Sequence, residues 1–235
     1  MSKPAAGWFD RLPAKRCLAE FSMWSADLCN LDRDLARIGP HADILHVDVA
    51  DGVFAPAFLF FPDLVAAMRA KSSLPIHVHL MVDDAILLQQ VEQFAEAGAD
   101  LISIHAECRN AMKAIELIKA KGALAGAVLR VETPVEAILP TVKSLSMVTL
   151  LGTAIGVKGV GLAETAPGRI TAMRKIVAAT KTPHRQIVAA DGGIRENTVP
   201  VLVASGAETV VMGSLAFGAP DLAKRIAWLH ALPIG

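Results

Sequence analysis

The chain has 235 residues, with 23 Lys+Arg against 23 Asp+Glu, so its formal net charge is zero. That balance excludes the overall basic field that gathers nucleic acid, and any anion bound here must be held by local groups. Hydrophobic residues make up 53% and mean hydropathy is +0.45, yet the excess falls in short runs, the pattern of strands buried on both faces.

Residues 1–16 carry Lys3, Asp10, Arg11, Lys15 and Arg16 without the apolar run of a signal peptide, and are expected to form a short N-terminal extension. The first β-type run is Leu18–Met23 and the second Ile44–Val49. The long apolar stretch from Val53 to Met68 is interrupted by Pro56, Pro62 and Asp63, and falls short of the roughly 20 continuous residues of a membrane span. Further runs follow at Pro75–Met81, Leu101–His105, Leu124–Leu129, Met147–Leu151, Gln186–Ala190 and Thr209–Met212. Between them lie amphipathic stretches such as Ala85–Ala97, where Ile86, Val91, Phe94 and Ala97 are largely helix-spaced. Ala97-Gly98-Ala99-Asp100 and Ser205-Gly206-Ala207-Glu208 each end a helix at Gly and enter a strand. Eight strand-then-helix units predict an α/β fold, a closed (β/α)8 barrel spanning residues 1–235 as one domain. No GxGxxG follows any strand, which argues against an open dinucleotide-binding sheet. Cys17, Cys29 and Cys108 show no CxxC spacing. Three unpatterned thiols suit a cytoplasmic protein, and all three are expected in the core.

In such a barrel the chemistry sits where strands end. His46 and Asp48 lie two apart at the end of the second strand and so share a face. His79 closes the third strand and Asp191 the seventh. Any one of them alone reads as a satisfied core or rim residue. Together, two imidazoles and two carboxylates form a ligand set for one divalent ion, Zn²⁺ first and Fe²⁺, Mn²⁺ or Co²⁺ as alternatives. Gly192-Gly193 and Gly213-Ser214 follow strands seven and eight, the recurrent phosphate site of this fold, although either glycine pair alone could be a tight turn.

The motifs Ser22-Met23-Trp24-Ser25-Ala26-Asp27, His46-Val47-Asp48-Val49-Ala50-Asp51-Gly52, Val78-His79-Leu80-Met81-Val82, His105-Ala106-Glu107, Asp191-Gly192-Gly193-Ile194 and Gly213-Ser214-Leu215-Ala216-Phe217-Gly218 resemble the ribulose-phosphate 3-epimerase family over nearly the whole chain after residue 17. The resemblance implies a ribulose-phosphate-binding barrel and an isomerase, with His46, Asp48, His79 and Asp191 as metal ligands. It implies that Asp48 and Asp191 also serve as acid and base on opposite faces of the substrate, that Ser22 contacts substrate, and that Met81 packs against the reacting carbons. Inverting a carbon beside a ketone needs these roles: one carboxyl takes a proton from one face while another returns one to the other.

Departures from the family pattern concentrate on the substrate side. After strand six the family's Met is Leu151 and its Pro-Gly-Phe-Gly-Gly-Gln loop contains Ile155, Gly156, Lys158, Gly159 and Val160. Ala50 stands for a Met beside the ligands, and Arg130-Val131 for Asn-Pro after strand five. Gly156 and Gly159 are retained for phosphate, Lys158 is expected to supplement that cradle as a substrate-binding residue, and Arg130 to meet a second anionic group. Phe54, Phe58, Phe60 and Phe61 form either a lid or a subunit contact. The expected activity is metal-dependent epimerisation of ribulose 5-phosphate or a related ketose phosphate, in a homo-oligomer that binds neither nucleic acid nor membrane. Related barrels that decarboxylate sugar phosphates or act as aldolases carry Asp-x-Lys-x-x-Asp, whose lysine is missing from Asp48-Val49-Ala50-Asp51. A non-catalytic sugar-phosphate-binding module is the remaining alternative.

Overall fold

In a computed structural model, which describes residues 3–234, eight parallel strands follow one another around a closed ring. They are β1 (Leu18–Ser22), β2 (Ile44–Asp51), β3 (Ile76–Met81), β4 (Leu101–His105), β5 (Leu124–Leu129), β6 (Met147–Leu151), β7 (Ile187–Asp191) and β8 (Thr209–Met212). β1 closes the ring by pairing with β2 (Ser22 beside His46) and with β8 (Glu20 beside Val211). These strands fall close to the predicted runs. β2 continues to Asp51, past the predicted Val49, because Phe58–Leu59 folds back and pairs antiparallel with Ala50 and Asp51.

Helices α1 (Leu31–Ile38), α2 (Pro62–Lys71), α3 (Leu87–Ala97), α4 (Ala111–Ala120), α5 (Ala166–Thr180), α6 (Val199–Ala204), α7 (Ser214–Phe217) and α8 (Leu222–His230) surround the ring. The alternation is incomplete at one point. Between β5 and β6 the chain makes two 3₁₀ turns, Val135–Ile138 and Val142–Ser144, in place of the expected helix. Pro134 and Pro140 flank the first turn, and Pro140 would remove a needed N–H from a helix spanning this stretch.

Side-chain alternation divides the apolar residues in two. Outward-facing Phe21, Leu45, Val47, Ile102 and Val188 pack with Val91, Phe94, Ile115 and Ile118 of the helices, each contributing about 1.5–3 kcal/mol on full burial. Inward-facing residues form layers. Leu18, Ile44, Leu101, Met147 and Ile187 make the lowest. Above it the interior turns polar, with Glu20, His46, His77, Ser103, Thr149 and Thr209 all buried.

The N-terminal segment, expected as an extension, is largely exposed but touches the floor of the barrel at one point. Phe9 joins the lowest layer with Trp8 and Leu12 against it. Arg185 holds the segment by donating from Nη1 to the Leu12 carbonyl at 2.6 Å and from Nη2 to that of Pro13 at 3.3 Å. Nearby, fully buried Arg69 donates to the carbonyls of Ser72, Leu74 and Gly98 and pairs with Asp100, tying the lower loops together. Cys17 and Cys108 are buried as expected, but Cys29 is exposed. It sits in a turn whose backbone is held by Asp27, outside any strand or helix. Among the described residues no helix is long and apolar enough to cross a membrane.

Candidate active site and metal centre

The upper mouth collects the predicted ligands. β2 projects His46 and Asp48 inward, the β2–β3 register sets His79 beside Asp48, and β7 ends on Asp191. Asp48 Oδ1 lies 3.1 Å from His46 Nε2 and 3.3 Å from His79 Nδ1. Asp191 Oδ2 lies 3.9 Å from His46 Nε2 and 3.8 Å from His79 Nδ1. A tetrahedral ion with bonds of about 2.1 Å has ligand-to-ligand edges of roughly 3.4 Å, so these spacings leave room for one ion at the centre.

Both imidazoles are oriented from behind. His46 Nδ1 faces Glu20 Oε1 at 2.7 Å, which turns Nε2 into the cluster. His79 turns Nδ1 inward, and its Nε2 meets His105 Nε2 at 2.9 Å. His105 in turn bonds Glu107 through Nδ1 at 3.1 Å. Glu107 also accepts from the Arg130 backbone N–H and the Thr133 hydroxyl.

The two carboxylates sit in unlike fields. Burial pushes the Asp191 carboxyl up to about 6; His46 and His79 pull it down, while Asp48 and Glu20 add to the rise. Burial acts the same way on Asp48, but close contact with His46 and His79 overrides it and holds that carboxyl well below the usual range. His46 is held above its ordinary value despite burial, by Asp48 and Glu20. Burial drives His105 down to about 4, so its neutral ring can accept the His79 N–H.

A cavity of about 960 Å³ opens over this cluster. Ser22, Asp48, His79, Met81 and Asp191 form its floor, and Gly156, Lys158, Gly159, Gly192, Gly193, Gly213 and Ser214 its sides. His46 is fully buried behind them. Ser22 donates to Asp48 Oδ2 at 2.9 Å. Met81 packs in a small apolar group with Ala50, Ala55 and Ile155, so two of the family departures meet there. Gly192 and Gly193 have φ of +85° and +69°, and a Cβ on Gly193 would lie 2.8 Å from the Leu162 backbone. Only glycine fits these turns without strain.

Lys158 reaches across the mouth: its Nζ donates to the Trp24 carbonyl at 2.6 Å and lies 4.4 Å from the Trp24 ring centre. Arg130 is not among the cavity-lining residues. Its guanidinium stacks 4.2 Å over the Phe54 ring and donates to the Phe54 carbonyl, because that half-buried aromatic face gives it a partner beside the strand end. The phenylalanine cluster splits: Phe54 and Phe60 pack inward, while Phe58 and Phe61 stand exposed. Sequence reasoning gave no role to Glu20, His77, Ser103 or the His105–Glu107 pair. The signal was available, since Glu20 and Ser22, and likewise His77 and His79, are two apart and must share the interior face.

A closed (β/α)8 barrel with its polar cluster at the C-terminal strand ends defines the class, enzymes that carry their chemistry at that mouth. The ribulose-phosphate 3 epimerase family model matches residues 18–217. A ribulose-phosphate 3-epimerase of Bacillus subtilis (strain 168) is 34% identical over 207 residues, covering 87% of this chain and 94% of the relative. The chloroplastic ribulose-5-phosphate-3-epimerase of Arabidopsis thaliana is 31% identical over 231 residues, covering 97% and 81%. Among solved structures, KGPDC from Streptococcus mutans superimposes with a TM-score of 0.70 at 11% identity, over 89% of this chain and 94% of that one, a likeness of fold. The chain belongs to the ribulose-phosphate 3-epimerase family and is an isomerase, an epimerase acting on carbohydrates.

Proposed function

We propose that this enzyme inverts the carbon next to the ketone of a phosphorylated ketose, ribulose 5-phosphate or a related compound, with one divalent ion held by His46, Asp48, His79 and Asp191. The observation that carries the reading is the placement of two carboxylates of unlike proton affinity, Asp48 and Asp191, on one ion-sized cluster beneath a cavity with glycine-rich walls. When bound, the ion supplies Lewis-acid stabilisation of negative charge developing on the ketone oxygen; Zn²⁺ is our first choice for this ligand set.

The side chains do the rest. One carboxylate removes the proton from the carbon beside the ketone, and that C–H pair becomes the C=C of an enediolate. The other carboxyl, protonated, delivers its proton to the opposite face, and the pair returns to a C–H bond with inverted configuration. Asp191, with the higher proton affinity, is the acid in one direction and the base in the other. Ser22 anchors Asp48, Met81 backs the reacting carbons, and Gly192, Gly193, Gly213 and Ser214, with Gly156 and Gly159, offer backbone N–H groups to phosphate. Lys158 completes the anion site at the rim. Leu151 lines the cavity and Ala50 packs in the group behind Met81, two departures from the family's methionines that make a related ketose phosphate as reasonable a substrate as ribulose 5-phosphate. The unpatterned cysteines support a cytoplasmic location, and exposed Val53, Phe58 and Phe61 support a homo-oligomer.

The test is incubation with Zn²⁺ in D₂O over a panel of ketose phosphates, with NMR following the hydrogen on the carbon beside the ketone. Deuterium entering that position together with the inverted product supports the reading. Absence of exchange on every compound, in metal-loaded protein, rejects it.

A further inference from the structure

Beneath the four-residue cluster lies a second group, Glu20, His46 and His77, completely buried and compact enough to suggest another ion. Its spacing indicates hydrogen bonds instead. Glu20 Oε1 stands 2.7 Å from His46 Nδ1 and closer still to His77 Nδ1, well inside the roughly 3.4 Å edges around a tetrahedral ion. One carboxylate oxygen therefore accepts from two imidazole N–H groups. This arrangement sets both tautomers. His46 presents Nε2 to the upper cluster, 3.1 Å from Asp48 Oδ1, while His77 Nε2 accepts the Ser103 hydroxyl at 2.7 Å. Ser103 fits only because β5 carries no side chain beneath it: a Cβ on Gly126 would lie 2.0 Å from Ser103 Oγ.

A fully buried carboxylate whose ion-pair partners are two histidines is costly unless its charge and hydrogen bonds are used. We propose that Glu20, braced by His77 and Ser103, is a positioning residue for the metal centre. It locks the His46 ring with Nε2 facing Asp48 and Asp191, and its negative charge makes that imidazole a stronger donor. The polar middle layer of the barrel thus acts through His46 on the layer above it, without touching substrate. This inference rests on the divalent-ion reading given above.

The experiment strips the full-length protein of metal and titrates Zn²⁺ against a chromophoric chelator, with Co²⁺ spectra reporting ligand geometry. It compares wild type, Glu20→Gln, Glu20→Asp and Ser103→Ala, and uses circular dichroism and the melting point of metal-free protein to establish folding. Glu20→Gln is expected to bind Zn²⁺ about 10–100-fold more weakly and to alter the Co²⁺ bands. Partial recovery is expected in Glu20→Asp, and a loss of about threefold in Ser103→Ala. A folded Glu20→Gln variant with wild-type affinity and an unchanged Co²⁺ spectrum overturns the proposal. Should Glu20→Gln fail to fold, Ser103→Ala decides: weakened affinity at an unshifted melting point supports the proposal, and unchanged affinity overturns it. If wild type itself binds no divalent ion, the failure lies in the underlying metal reading, and this inference falls with it.

Discussion

At the bottom of the barrel, Trp8, Phe9 and Leu12 close the ring over a layer of Leu18, Ile44, Leu101, Met147 and Ile187. At the top, β1, β2, β3 and β7 present Ser22, Asp48, His79 and Asp191 around an open cavity. Three residues separate these surfaces along β1, β2 and β7. The lower one uses apolar contact and buried arginine-to-carbonyl bonds, which gain stability and have no chemical use. The upper one crowds two carboxylates together and leaves backbone turns accessible, which sacrifices stability for chemistry. This division predicts that substitutions at the two ends separate cleanly: the upper ones reduce turnover, and the lower ones reduce folding free energy.

The sharpest way to break the comparison is at the top. Asp191→Asn and Asp48→Asn each remove one proton-transfer group without changing side-chain volume. Each is expected to lower turnover by about 10²–10⁴-fold, the usual contribution of a positioned acid or base. The metal-free melting point should hold or rise in Asp191→Asn, whose carboxyl burial and Asp48 push up, and should fall in Asp48→Asn, whose ionised carboxylate His46 and His79 stabilise. Solvent-deuterium exchange and thermal unfolding of the same samples check both halves. Full turnover in both variants would remove the carboxylates from the mechanism.

Phe9→Ala is the matching test from below. Phe9 is 5% exposed in the floor layer, and emptying such a site costs about 3 kcal/mol. Denaturant unfolding should show that loss, while turnover per folded molecule stays within twofold of wild type. A drop in turnover without a loss of stability would mean that the two ends communicate.

Legibility in the sequence follows the same division. The strands could be read because all of them are buried on both faces, so each is a short apolar run ending in polar residues. The four candidate ligands could be read because parity puts His46 and Asp48 on one face and because His79 and Asp191 stand at the ends of apolar runs. The floor could not: Trp8, Phe9 and Leu12 lie in turns with no period, and their partners are brought together only by closure of the ring. The partner of Arg130 was hidden for a related reason, since its stacking on Phe54 depends on a loop 76 residues away in sequence. The stretch after β5 counted as a helix on rhythm alone, and Pro140 outweighs the rhythm. Glu20 lacked a role because a buried carboxylate looks out of place until its two histidine partners, from β2 and β3, are known.

A smaller effect belongs to the rim. Lys158 is bonded to the Trp24 carbonyl, so engaging an anion trades one partner for another. Lys158→Ala should raise KM by several fold with kcat nearly unchanged, the pattern of binding that is equal in ground and transition states. An unchanged KM would leave Lys158 only the task of holding its loop against Trp24.

The mildest probe changes neither activity nor stability and uses the cysteines as reporters of the two ends. Cys29 is exposed, whereas Cys17, just before β1 at the floor, and Cys108, after β4 at the mouth, are buried. Burial pushes both buried thiols up to about 12, so at pH 8 almost none of either is thiolate and direct alkylation is suppressed. Labelling followed by mass spectrometry should give one fast site per chain, Cys29, and two slow ones whose rates report local opening. In Phe9→Ala the floor segment leading into Cys17 loses its anchor, so Cys17 should label faster while Cys108 keeps its wild-type rate. Equal acceleration at both sites would show that the ring opens as one cooperative unit, so that floor and mouth differ in chemistry but share their stability.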